Sequence, residues 1–284
     1  MNERQIQHKD VQLCTQNFGQ VGRPTVLLLM GATASMLWWD TSFCQQLATK
    51  GYFVIRYDNR DVGQSTTYTP GPPPYRLDDL VDDVIGILNG YELLQAHLVG
   101  MSLGGLIAQM AALKYPQRVK SLTLISTGPW GDSDPTIPEM DPRIVAFQAK
   151  RVEIDWTDEQ AVVEYMVQGA RLMSGRKPFD ENKQKQLIRA EFKRATHYVS
   201  MFNHASLQGG EEFYGRVSEI TQPTLLIHGT DDLIWPYKHT DVLLAELKDA
   251  RRITLEGTGH ELHMADWITI VSAIANHISS VMHQ

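Results

Sequence analysis

The chain has 284 residues, 43% of them hydrophobic and 21% charged, and carries a formal net charge of −7, so it is long enough to bury one large α/β core without staples. The negative balance argues against nucleic acid or an anionic membrane as partner, because both select basic patches, and it points to a neutral or apolar small molecule. Cys14 and Cys44 stand far apart in no C-x-x-C spacing, no run reaches membrane-spanning length and the polar first ten residues hold no apolar signal core, so the expectation is a cytoplasmic protein with free thiols.

Residues 11–18 alternate weakly and are expected to open the fold as a strand, ahead of a turn at 19–22. Residues 25–30 form a continuous apolar run of strand length, the pattern of a strand covered on both faces. They lead into Gly31-Ala32-Thr33-Ala34, small residues that let backbone approach a ligand. A helix is expected over 37–50, with Phe43 and Leu47 at helical spacing and Gly51 past its end. A strand at 52–57 precedes the loop 58–65, and prolines at 70–74 exclude regular structure there. Leu77, Leu80, Val81, Val84, Ile85 and Leu88 share one helical face. Asp78, Asp79, Asp82 and Asp83 fall off it and read as a solvated acidic side rather than a metal site.

The pattern centres on 96–112, where an apolar run meets Gly100-Met101-Ser102-Leu103-Gly104 and then a helical stretch rich in small residues. Three fixed positions of this kind arise by chance in about one chain in ten of this length. The weight therefore rests on the placement, strand then tight turn then helix, which is what the nucleophile elbow G-x-S-x-G requires. After a further strand at 119–125 the rhythm breaks. From 128 to 216 there are only proline turns (Pro129, Pro135, Pro138, Pro142) and helical patterns, one of them opening at Thr157 with Gln160 as a capping box and turning Val162, Val163, Met166 and Ala170 inward. Strands resume at 224–228 and 252–255 with a helix near 236–247 between them. A last helix puts Met264, Trp267, Ile268, Val271, Ile274, Ile278 and Val281 on one face. The alternation predicts a doubly wound, mostly parallel sheet built from residues 1–127 and 217–284, with 128–216 as an inserted helical cap. Removing that cap is expected to alter substrate choice more than the catalytic groups.

In such a sheet, reactive groups collect on loops leaving the carboxyl ends of strands. Ser102 is the candidate nucleophile, and a serine hydroxyl needs a base and an acid to orient that base. His260 in Gly257-Thr258-Gly259-His260 and Asp232 in Gly229-Thr230-Asp231-Asp232 lie on two such loops, in the order Ser, Asp, His expected of α/β-hydrolases. His263 is the nearest rival base. His260-Glu261-Leu262-His263 lacks H-E-x-x-H spacing, so no zinc is expected. Candidate oxyanion donors are Leu103 N–H and Ala32 N–H, with Gly31 as the alternative. Gly31, Met36, Leu37, Trp38, Trp39 and Met101 are candidates for pocket walls.

Met30-Gly31, the string from Ile55 to Ser65 (Ile-Arg-Tyr-Asp-Asn-Arg-Asp-Val-Gly-Gln-Ser), the elbow, His228-Gly229-Thr230-Asp231-Asp232 and Gly257-Thr258-Gly259-His260 together resemble the α/β-hydrolase family. Within it the chain resembles the aclacinomycin methylesterase-like serine esterases. The resemblance implies a Ser102-Asp232-His260 triad with no cofactor, the acid being the fourth residue of Gly-x-x-Asp. Many relatives carry histidine where this chain has Met30, and that branch often has glycine at Ala32. The expected activity is hydrolysis of a small to medium apolar carboxylic ester through an acyl-enzyme. C–C bond or lactone hydrolysis on the same triad and a ligand-binding protein without turnover stand as alternatives.

Overall fold

The computed structural model describes residues 3–131 and 136–282, so Pro135 of the expected turns lies outside the described residues. The strands are β1 (Arg4–His8), β2 (Val11–Phe18), β3 (Thr25–Leu29), β4 (Phe53–Tyr57), β5 (Ala96–Met101), β6 (Val119–Ile125), β7 (Thr224–Gly229) and β8 (Ala250–Leu255). They form one sheet in the order β1-β2-β4-β3-β5-β6-β7-β8. β1 and β2 pair antiparallel, β2 adds antiparallel to β4, and every pairing from β4 through β3 to β8 is parallel. The parallel pairings align the carboxyl ends of β3, β5, β6, β7 and β8 along one edge.

Strand alternation divides the core in two. Val26, Leu28, Val99, Leu225 and Ile227 face α1 (Thr41–Thr49) and α8 (Trp267–Met282), meeting Phe43, Leu47, Ile270 and Ile274. Their neighbours Leu27, Leu29, Leu98 and Leu226 face α2 (Leu77–Gly90), α3 (Leu103–Lys114) and α7 (His239–Glu246), meeting Leu80, Val84, Ile107, Ala111 and Leu243. Between β6 and β7 the chain leaves the sheet to form α4 (Pro142–Ala149), α5 (Glu159–Met173), α6 (Glu181–Arg194) and a 3-10 segment (Tyr198–Ser206), held together by small apolar clusters around Val162 and Val163. No helix among the described residues is long and apolar enough to cross a membrane.

Several local expectations are corrected. β1 precedes the expected opening strand; of its five residues only Ile6 is buried, so its sequence shows almost no apolar alternation. The first helix begins later than expected. Ser35 caps a single 3-10 turn at Met36–Trp38, and Asp40 then accepts from Ser42 N at 2.7 Å to start α1. The cap of α5 is Asp158, not Thr157, because its carboxylate reaches Gln160 N at 2.8 Å. Met264 and Ile268 are exposed rather than part of the buried face of the last helix. Asp83 is not solvated: it is fully buried, gripping Arg60 Nε and Nη2 at 2.8 Å each.

Candidate active site

The turn after β5 is strained. Ser102 has φ 53° and ψ −121°, a conformation that a residue with a side chain rarely adopts. Two glycines make it possible, since a Cβ at Gly100 would overlap the carbonyl of Gly104 and one at Gly104 would overlap the carbonyl of Leu29. The turn is then tied down: Ser102 N donates to Ile125 O at 3.0 Å, and Thr127 Oγ1 donates to Ser102 O at 3.0 Å. Gly31 presses against it, so closely that a Cβ there would stand 3.1 Å from Ser102 Cβ. The loop after β3 therefore lies beside the Ser102 hydroxyl.

Asp232 and His260 meet two strands away. Asp232 Oδ2 accepts from His260 Nδ1 at 2.8 Å, and its Oδ1 accepts from Ile234 N and Trp235 N at 2.8 and 2.9 Å. This fixes the proton of His260 on Nδ1 and leaves Nε2 as the ring's lone-pair nitrogen. His228 Nε2 donates to Trp235 O at 2.7 Å and stands 3.3 Å from Asp232 Oδ2. Burial alone would raise the Asp232 pKa, but the attraction and hydrogen bonds of His260 and His228 outweigh it and hold the carboxyl well below the ordinary range. Asp231 points elsewhere, to Arg176 Nε at 2.7 Å and Thr230 Oγ1 at 3.0 Å. His263 Nε2 donates to Pro178 O. Among the described residues no group of three or more His, Cys, Asp or Glu side chains is arranged to hold a metal ion.

Leu103 is the first residue of α3, where an N–H has no intrahelical acceptor, and Ala32 is exposed just past β3. The two residues lie on the loops that meet at Ser102. Trp38 is half-buried, its Nε1 donating to Glu191 Oε1 at 2.9 Å. Met36 is fully buried, and Met101 packs into the core cluster shared with α1 and α8. Neither methionine side chain presents surface to an open cleft.

Sequence reasoning missed the groups that hold these loops, which come from the inserted segment. Glu191 of α6 accepts from Ser35 N at 2.8 Å through the same Oε1 that binds Trp38, and desolvation pushes its pKa up. Arg194 of α6 pairs with Asp58 at 2.7 Å, while Asp58 accepts from Met36 N and Gln64 N. His204 accepts from Thr33 N at 3.0 Å. On the other flank, Met173 O accepts from His260 N at 2.9 Å, Gly175 N donates to Glu261 at 3.1 Å, and Lys177 reaches Thr258 and Asp266. The insertion is thus bonded directly to the loops that carry Ser35, Thr33 and His260. Its own atoms satisfy backbone donors on both flanks of the site.

A family model for the alpha/beta hydrolase fold matches residues 24–266. Rhodomycin D methylesterase DauP of Streptomyces sp. (strain C5) is 31% identical and rhodomycin D methylesterase DnrP of Streptomyces peucetius 30% identical, each over 98% of both chains. The solved 2-hydroxy-6-oxo-6-phenylhexa-2,4-dienoate hydrolase of Rhodococcus sp. strain RHA1 superposes with a TM-score of 0.76 at 20% identity over 98% of both chains, a likeness of fold.

Proposed function

The chain belongs to the α/β-hydrolase family and is a carboxylic-ester hydrolase, and from that premise we propose that it cleaves the methyl ester of a medium-sized apolar acid through an acyl-enzyme on Ser102. The observation that carries this reading is the strained Ser102 backbone, maintained by glycines on both sides of the turn. Methanol as the leaving alcohol is taken from the full-length similarity to proteins named rhodomycin D methylesterases.

In the proposed mechanism, Ser102 Oγ attacks the ester carbonyl carbon while its proton passes to His260 Nε2. Asp232, ionised and hydrogen-bonded to Nδ1, stabilises the imidazolium that results. The carbonyl electron pair moves onto oxygen, which Ala32 N–H and Leu103 N–H receive. Collapse expels the alcohol oxygen with the proton from His260, leaving an ester on Ser102. Water, deprotonated by the same nitrogen, then repeats the sequence and releases the acid. Residues 128–216 act as the cap over this site and supply part of its walls. Cys14 and Cys44 are buried free thiols whose pKa values desolvation pushes up to about 12, which fits a reducing, cytoplasmic setting.

A panel of methyl esters, lactones and 1,5-diketones tests the substrate class, with Ser102→Ala as control. We expect methyl esters of medium apolar acids to have the highest kcat/KM and the variant to be inactive but folded. Preferred turnover of a lactone or diketone would move the reading to another bond on the same triad, and turnover surviving in Ser102→Ala would remove the nucleophile.

A further inference from the structure

Three points fix the loop that carries Ala32. Its start, Gly31, lies against Ser102. Its end, Ser35 N, donates to Glu191 Oε1 at 2.8 Å. In the middle, Thr33 adopts the left-handed conformation at φ 64°, which costs a β-branched residue and persists only where surroundings impose it. A histidine from the insertion bonds the residue there. Thr33 N donates to His204 Nδ1 at 3.0 Å, and His204 Nε2 donates to Arg60 O at 2.7 Å, so both ring nitrogens are used and the neutral Nε2–H tautomer is set.

His204 is itself held rigidly. It is 6% exposed, and its neighbours on the same 3-10 segment grip the loop after β4: Ser200 Oγ donates to Asp61 O at 2.8 Å, and Asn203 Nδ2 to Asp61 Oδ2 at 3.1 Å. Arg60, which supplies the carbonyl, is locked in the buried pair with Asp83. The chain of contacts thus runs from α2 through Arg60 and His204 to the peptide that follows Ala32. Ala32 itself is exposed.

We infer that His204 is a positioning residue for the reaction, aiming the Ala32 N–H at the oxyanion by holding Thr33 in its left-handed conformation. The inference rests on the reading that Ser102 attacks an ester and Ala32 N receives the oxyanion. Without the Nδ1 acceptor, Thr33 relaxes, the preceding peptide turns, and a donor is lost where charge develops in the transition state. Substrate binding, which makes no use of that charge, is left nearly intact.

The test compares His204→Leu, which removes both ring contacts, with His204→Gln, whose amide offers one acceptor and one donor. The readouts are p-nitrophenyl butyrate kinetics and inhibition by an alkyl trifluoromethyl ketone. That ketone takes Ser102 Oγ onto its carbonyl carbon, passes the serine proton to His260 and leaves an oxyanion in the hole. In the Leu variant we expect kcat to fall about 10- to 100-fold, at or below the roughly 100- to 1000-fold loss of a donor removed outright because the misaimed N–H is still present, with KM nearly unchanged and ketone affinity falling in step with kcat. The Gln variant should recover most of both. If His204→Leu does not fold, His204→Met fills similar volume without the acceptor and takes its place. A folded variant without the acceptor that keeps wild-type kcat and ketone affinity overturns the inference, as does a rise in KM with kcat and ketone affinity intact. Turnover surviving in Ser102→Ala overturns the underlying reading instead.

Discussion

The inserted segment holds the two flanks of the active site by different physical means. On the proposed oxyanion flank it enters the core: Glu191, Arg194 and His204 are buried or nearly so, and each bonds a backbone or carboxylate group that is buried or on the loop beside Ser102. On the proposed acid and histidine flank it holds on through the main chain of Met173 and Gly175, a half-buried Lys177 and a surface cation, Arg176, whose side chain is 73% exposed. Buried polar contacts fix a position because losing a partner strands a desolvated group. Exposed pairs are replaced by water at little cost. The comparison teaches that the loop with a strained residue to restrain is the one given the buried anchors, whereas the Asp232–His260 pair already carries its own hydrogen bonds.

The sharpest contrast lies within one flank, between adjacent aspartates. Asp232→Asn keeps the shape but favours the wrong tautomer of His260, and kcat should fall by roughly 10³–10⁴-fold, approaching the roughly 10⁴-fold loss that the same change causes in a serine-protease triad. Asp231 bonds Arg176 and Thr230 and does not touch His260, so Asp231→Asn should cost less than about tenfold. Steady-state kcat for both variants checks this. Losses in the opposite order would show that Asp231 is the acid.

Next in size is the contrast between the two arginines. Arg194→Met leaves Asp58, fully buried, without its cation, and should destabilise the fold by about 3–5 kcal/mol. Arg176→Met breaks an exposed pair and should cost no more than ~1 kcal/mol, an effect that 1 M salt erases. Urea midpoints of the two variants decide whether the flanks differ as described, and equal losses would abolish the distinction.

A smaller effect is the acid response of the oxyanion flank. Burial holds the His204 pKa below its ordinary value, although the Arg60 carbonyl and Asp61 oppose this. The unfolded chain therefore takes up this proton at higher pH than the folded one, and His204 contributes stability that is present above about pH 6.5 and is lost as pH falls towards its folded value. In His204→Gln the decline in urea stability from pH 7 to 5 should be shallower. Parallel curves would mean that another buried histidine carries the acid response.

What was legible in the sequence follows the same division. Ser102 and its glycines announce themselves within five residues, and the buried strands do so as apolar runs, because the physics that places them is local. The Gly-x-x-Asp and Gly-x-Gly-His loops are local too, so Asp232 and His260 stood out before their 2.8 Å contact was known. Glu191 looks like any charge on a polar helix, and His204 like any of ten histidines. Their targets, Ser35 and Thr33, lie 156 and 171 residues away, so only the folded chain gives them meaning. Asp83 failed for a related reason: periodicity sends a charge outward unless a partner such as Arg60 is already known to wait inside.

The central claim, covalent catalysis by Ser102, is tested most directly by mixing the protein with excess p-nitrophenyl acetate, following the first turnover and digesting an acid-quenched sample for mass spectrometry. The account predicts a burst of one p-nitrophenol per chain where deacylation is the slower step, and an acetyl group on the peptide containing Ser102 that is missing in Ser102→Ala. Turnover with no serine adduct under any quench time, or an adduct on a different residue that persists in Ser102→Ala, would contradict it.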